Sequence, residues 1–145
     1  MVHLKWKMRF GIVALLAAGA ALRFLPAEIL VFRWEPDAVR PRTYPVLNPW
    51  RDRRPEALAD QVFGRMAATG GRDLPIATDE QIRSREGKYP VSSWRLGRRW
   101  DRAGECSLQY WVRRGGGYGY VEEEVFLTLR LDKGQWMVSD FSAIY

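Results

Sequence analysis

The sequence predicts an α+β protein: an N-terminal transmembrane helix, a proline-rich linker, then a helix packed on a four-stranded antiparallel sheet. Three observations predict this fold. An apolar run follows a basic tail, prolines recur after that run, and apolar side chains alternate with polar ones from residue 91 onward. The predicted boundaries are a cytoplasmic tail at 1–9, an anchor at 10–34, a linker at 35–54 and an extracytoplasmic domain at 55–145.

The apolar segment FGIVALLAAGAALRFLPAEILVFRW predicts the anchor. As a helix, residues 10–22 reach only about 20 Å, and extension to residue 32 gives about 34 Å, enough for a hydrocarbon core of about 30 Å. That longer helix encloses Arg23 and Glu28, which can pair with each other, and Trp34 would lie at the outer interface.

Basic residues before this segment place the N-terminus inside. We therefore expect an uncleaved, single-pass protein of a bacterial inner membrane, with its C-terminal domain in the periplasm. Cleavage after Ala20, which would release a secreted protein, is the alternative.

Prolines spaced every four to six residues between Pro36 and Pro55 disfavour a helix and predict an extended, semi-rigid linker. The next helix begins at Pro55 and ends at Thr69, because proline is tolerated in a first turn and Gly70 follows. Its apolar residues recur with helical spacing at Leu58, Val62 and Met66. A short strand at residues 74–77 and a brief helix at 78–87 come next.

Four strands then follow with a period of two, and the connectors RAGE, GGGYG and DKG are typical of hairpins. One face of the resulting sheet is apolar, with Leu127 and Leu129 among its residues. Because such a face needs a cover, we expect the helix at 55–69 to pack on it.

The order helix, short strand, short helix and four antiparallel strands, ending in LTLRLDKGQWMVSDF, resembles a compact nuclear transport factor 2-like (cystatin-like) domain. The resemblance covers residues 49–145 and rests on the last hairpin, where Leu127, Leu129 and Leu131 precede Gly134 and Trp136. It implies a cone-shaped pocket, which is shallow or absent here because one helix of the family is missing. With the anchor, the chain also resembles assembly subunits of bacterial secretion machines.

The formal charge of +6 lies mostly before residue 45, whereas nucleic-acid binders concentrate charge on the folded domain. Cys106 is the only cysteine and His3 the only histidine of the sequence. These counts exclude an internal disulfide, Cys/His zinc sites and His-based catalytic triads. The sequence thus predicts no nucleic acid, no metal and no cofactor, and it favours a protein without catalysis.

Two sets of carboxylates remain as candidates. Enzymes that the chain resembles often hold an acid or base inside the cone, and Asp140 with Tyr110 is the candidate pair here. A solvated Asp140 at a strand end is the alternative. The run Glu122 to Glu124 alternates between two faces, so it predicts cross-strand pairing with arginines such as Arg113 rather than a metal site.

The face of the sheet opposite the core carries large apolar residues among arginines, which is typical of partner surfaces. They are Trp111, Phe126, Met137 and Phe141, beside Arg113. The alternative is that the proline-rich linker folds over them.

The sequence therefore predicts a non-catalytic, single-span accessory or assembly subunit of a larger membrane protein complex, in contact with lipid. The predicted partner-binding residues are Arg23, Glu28, Trp34, Trp111, Phe126, Met137 and Arg113. A ligand-binding or enzymatic domain with a pocket around Asp140 and Tyr110 is the rival, and a cleaved secreted protein is the third possibility.

Overall fold

A computed structural model describes residues 2–35, 41–69, 90–115 and 119–144, without the side chains of 2–10 and 69. The strand and helix predicted at 74–87 lie outside the described residues. The described elements are α1 (Val2–Leu22), β1 (Glu28–Trp34), β2 (Arg42–Leu47), α2 (Arg54–Thr69), β3 (Val91–Arg102), β4 (Glu105–Arg114), β5 (Val121–Asp132) and β6 (Gln135–Ile144).

The four C-terminal strands form one antiparallel sheet in the order β3-β4-β5-β6, as the hairpin connectors predict. Gly104 and Gly134 turn two of these hairpins with φ angles of 73° and 82°, which glycine adopts without steric cost. The inner face carries the core residues, among them Leu108 and Leu127, both fully buried.

Helix α2 covers this inner face. Asp52 Oδ1 accepts a hydrogen bond from the Arg54 backbone N–H at 3.0 Å, and Pro55 occupies the first turn, so the helix begins where its first donors are satisfied. Val62, Phe63 and Met66 are buried against the sheet, as their spacing predicts. Each such side chain contributes about 1.5–3 kcal/mol of burial free energy.

The predicted transmembrane anchor is wrong, and with it the predicted fold class and the predicted location as a single-pass protein of the inner membrane. No helix within the described residues combines the length and the apolar character that a membrane crossing requires. The helix α1 stops at Leu22, and the second half of the apolar segment, from Glu28, is strand β1. The stretch of α1 after its basic residues therefore reaches only about 20 Å.

The segment predicted as an extended linker contains the strand β2. Strand β2 pairs with β1 in a two-stranded antiparallel sheet, here called the ribbon, with Pro45 opposite Val31. Proline is tolerated on such an edge strand because one side of the strand needs no donor. The alternation in EILVFRW thus belongs to a strand and not to a membrane-embedded helix.

Asn48, which directly follows β2, joins the end of α1 to the ribbon. Its side-chain amide donates to the carbonyl groups of Leu22 at 2.7 Å and Leu25 at 3.1 Å, and its backbone N–H donates to Ala27 at 2.8 Å. Asn48 is buried, and it supplies partners for carbonyl groups that the end of α1 leaves open. Beyond this joint, α1 makes no extensive contact with another described element.

Candidate functional site

The ribbon lies over part of the outer face of the four-stranded sheet. Thr43 Oγ1 donates to the Gly97 carbonyl at 3.2 Å, and Arg95 Nη1 donates to the Thr43 carbonyl at 2.8 Å. Arg42 pairs with Glu122 on β5 at 2.7 Å. The segment predicted as a linker therefore covers β3 and β4 on the face where a partner surface is predicted.

Glu28 holds the ribbon to β3. Its carboxylate pairs with Arg98 Nε at 3.0 Å and accepts from the Arg99 backbone N–H at 2.7 Å. A register shift between Leu96 and Arg98 accompanies this contact. Because β3 is an edge strand, Glu28 satisfies a backbone donor that would otherwise have no strand partner. Arg23 is exposed, and Glu28 has these partners on β3 in place of the predicted pair with Arg23.

Trp111 is half-buried under the ribbon, against Gly97. Phe126 is half-buried on the same outer face, and Met137 is exposed there. Arg113 donates to Glu122 at 3.0 Å and lies over the Tyr120 ring at 4.2 Å.

Phe141 differs from the expectation because it belongs to the core. A bulge opposite Thr128 and Leu129 shifts the alternation of β6 by one residue, which turns Phe141 to the inner face. Trp34, on the ribbon, is exposed.

The candidate catalytic pair is not assembled. Tyr110 is buried on the inner face, with its ring 4.8 Å from that of Phe63, and burial raises its pKa. Asp140 is exposed and pairs across the strands with Thr128, on the outer face. Because the two side chains lie on opposite faces of the sheet, they cannot act on one substrate.

Sequence reasoning missed a buried charge cluster at the start of α2. Arg99 Nη1 pairs with Glu56 at 2.6 Å and Arg99 Nη2 with Asp101 at 2.9 Å, while Arg51 Nε also pairs with Glu56 at 2.6 Å. Burial raises the pKa of Glu56, but hydrogen bonds from Arg51 and Arg99 outweigh it, so the pKa lies below its ordinary value. The sequence carries no signal for this cluster, because the alternation of Trp94 and Leu96 predicts an outward Arg99. The register shift between Leu96 and Arg98 turns Arg99 to the inner face.

Apolar residues on the N-terminal segment are exposed to solvent. The apolar arm is defined here as residues 11–25, which contain α1 from Gly11 onward and the following turn. Its exposed side chains include Ile12 at 53%, Val13 at 63%, Leu15 at 75%, Leu16 at 68% and Phe24 at 88%. The ribbon adds Leu30 and Phe32, which are exposed on one face of β1, while Val31 between them lies on the other face.

Cys106 is fully buried on the inner face, and burial raises the pKa of its thiol to about 12. Cys106 therefore does not form a reactive thiolate near neutral pH in the folded protein. Among the described residues no cluster of acidic, cysteine or histidine side chains could hold a metal ion.

Comparison of the chain with protein-family models, with curated proteins and with solved structures finds no match. The likeness to nuclear transport factor 2-like domains therefore stays a prediction from the strand pattern.

Proposed function

We propose that this protein is a non-catalytic docking subunit of a larger protein complex, which it joins through the apolar arm. The observation that carries the proposal is the exposure of Val13, Leu15, Leu16 and Phe24 on a segment without extensive contacts to the other described elements. Contiguous exposed apolar surface of this kind is typical of interaction sites.

The composition of α1 supports the need for a partner that covers it. A helix that is apolar on every side is stable in proteins when it is buried on every side. The stretch 11–22 contains only glycine, alanine, valine, leucine and isoleucine. Burial of one leucine-sized side chain contributes about 1.5–3 kcal/mol, so a groove that covers four of them supplies substantial binding free energy.

A protein groove suits the arm better than a lipid surface does. A helix that lies in a membrane interface needs one polar face to meet water, and residues 11–22 offer none. The sequence places Lys5, Lys7 and Arg9 directly before the arm, so a groove with acidic residues at one end would match both parts. A membrane protein complex and lipid as partners remain predictions that the experiment below addresses.

The rival, an enzyme or ligand-binding domain with a pocket around Asp140 and Tyr110, has less support. A general acid or base must reach the same substrate as its hydrogen-bond partner. The sheet separates these two side chains, since Tyr110 faces α2 and Asp140 faces solvent. This separation supports a role without catalysis at that position.

The test is site-specific photo-crosslinking of the full chain in the cells that make it. A photoreactive residue replaces Leu15 in the arm, and the matched control replaces Leu131, an exposed apolar residue of β5. We expect one discrete protein adduct from position 15 and none from position 131. The substitution Leu16→Asp should abolish the adduct, because it places a charge in the contact.

Flotation with lipid vesicles separates the two kinds of partner. If the full chain floats with anionic vesicles, Leu16→Asp prevents flotation, and position 15 gives no protein adduct, the partner is lipid and the proposal is wrong. A diffuse set of adducts that Leu16→Asp leaves unchanged would equally contradict a specific docking role.

A further inference from the structure

The ribbon carries a second exposed apolar surface, here called the ribbon face. Leu30, Phe32 and Trp34 alternate along β1 on one side of the strand, and they are 53%, 50% and 68% exposed. Val46 of β2 lies opposite Leu30 in the register of the ribbon and is 38% exposed. Because opposite residues of an antiparallel pair share a face, both strands contribute to one exposed apolar patch.

The arm of the same chain leaves the ribbon face uncovered. Both surfaces are exposed at once in the single chain, and α1 makes no extensive contact with β1 or β2. Asn48 fixes this arrangement, because its amide binds the carbonyl groups of Leu22 and Leu25 at the end of α1. The ribbon face is therefore open to the arm of another copy of the chain.

The arm and the ribbon face match in length and in chemical character. Residues 11–22 carry no charge and span about 18 Å as a helix. The seven residues of β1 span about 23 Å as a strand. Ile12, Leu15 and Leu16 recur with helical spacing, so α1 has one bulky face that suits the aromatic side chains of the ribbon face.

The charges at the ends of the two surfaces are complementary. In the sequence, Lys5, Lys7 and Arg9 directly precede the arm. Glu35 directly follows Trp34 and is exposed at the end of β1. A helix that runs antiparallel to β1 would bring its basic end to Glu35, so the charges favour one direction of docking.

We propose that the arm of one copy docks on the ribbon face of a second copy, which returns its own arm in a symmetric dimer. The inference rests on the proposed docking role of the arm and names its partner. Reciprocal exchange would cover both surfaces of both chains. The arm and the ribbon face together supply roughly the 20 residues that a standard interface takes from each partner.

The test is photo-crosslinking between two forms of the full chain that are made in the same cells. The donor carries a photoreactive residue in place of Leu15, and the acceptor carries an affinity tag. We expect a discrete adduct of one donor with one acceptor, and mass spectrometry should place the link in the ribbon of the acceptor.

Two acceptor variants form a matched pair. Leu30→Asp replaces a ribbon residue that is 53% exposed, and Met137→Asp replaces a residue of β6 that is 54% exposed. Because docking would bury the new carboxylate of Leu30→Asp without a partner charge, this variant should lower the adduct yield about tenfold or more. Met137→Asp should leave the yield unchanged. Equal yields from the two acceptors would overturn the inference.

A third acceptor, Leu16→Asp, separates docking on the ribbon from pairing of two arms. Its ribbon face is intact, so the adduct with the donor should persist. Loss of the adduct with this acceptor, together with its persistence in the Leu30→Asp acceptor, would show that the arms pair with each other and would refute docking on the ribbon.

Failure of this inference is distinguishable from failure of the docking role. A discrete adduct between position 15 and a different protein supports the docking role and rejects a second copy as the partner. Absence of any discrete protein adduct rejects both proposals.

Discussion

Two regions of the molecule differ in the exposure of their apolar side chains. The first is the four-stranded sheet together with α2, and the second is the apolar arm. In the first region Phe63, Leu108 and Leu127 are fully buried, and the buried arginine Arg99 has carboxylate partners. In the arm, leucines of equal size face solvent, and α1 is held at its end by Asn48. The first region therefore buries its own apolar side chains, whereas the arm leaves its apolar side chains exposed, and the proposed docking role would cover them.

The largest expected contrast comes from truncation in each region. Phe63→Ala should lower the free energy of unfolding by about 3–5 kcal/mol, because it removes a buried ring and leaves a cavity. Leu15→Ala in the arm should change it by less than about 0.5 kcal/mol, because nothing packs on that side chain. Urea denaturation of both variants measures this, and equal losses would show that the arm belongs to the folded core.

The buried charge cluster should make the first region sensitive to acid. The lowered pKa of Glu56 stabilises the fold fully above the ordinary glutamate pKa of about 4.3, and this contribution is lost as pH falls through the folded value. Glu56→Gln should cost about 1–3 kcal/mol at neutral pH, since it weakens the contacts of buried Arg99.

Unfolding curves at a series of pH values test whether stability falls with pH in this direction. The wild-type protein and Glu56→Gln should converge in stability at low pH. Glu105→Gln, which removes a surface pair with Arg130 at 3.3 Å, should cost at most about 1 kcal/mol. Parallel curves for the wild type and Glu56→Gln down to the lowest pH would exclude the mechanism.

The contact of ribbon and sheet should respond to one methyl group. A Cβ at Gly97 would lie 2.9 Å from Trp111 Nε1 and 3.3 Å from Thr43 Oγ1 of the ribbon, so Gly97→Ala must displace both side chains and should cost about 1–3 kcal/mol. Gly64→Ala in α2 meets nothing within 4 Å and should stabilise the protein by about 0.5–1 kcal/mol. Thermal unfolding compares the two, and a harmless Gly97→Ala would mean that the ribbon packs less tightly than described.

The smallest effect is expected at the joint between the two regions. Asn48→Ala removes the donors to Leu22 and Leu25 and should cost about 1 kcal/mol, with faster amide exchange at the end of α1 and unchanged exchange in β4 and β5. Hydrogen exchange followed by mass spectrometry reads both segments. Uniformly faster exchange would indicate that Asn48 supports the whole fold.

The sequence predicted the second half of the fold well because its signals are local. The helical spacing of Leu58, Val62 and Met66 and the strict alternation in β5 leave one economical arrangement. The prediction put Phe141 on the wrong face, because a bulge in β6 changes the register and no residue in the sequence indicates that bulge.

The first half could not be predicted for a physical reason. A run of apolar residues suits a membrane helix, a buried strand and a docking helix equally, and only partners elsewhere in the chain distinguish them. Glu28 finds its partners on β3, about seventy residues away, and Asn48 determines where α1 ends.

The buried thiol of Cys106 can report whether the sheet is folded or opened. As the only cysteine, shielded and with its pKa raised to about 12, it should resist alkylating reagents until the sheet opens. A second cysteine, introduced by Leu15→Cys, would then be the single fast-reacting site. Protection of that site would count occupied arms, and modification of Cys106 would count opened molecules, in the same sample.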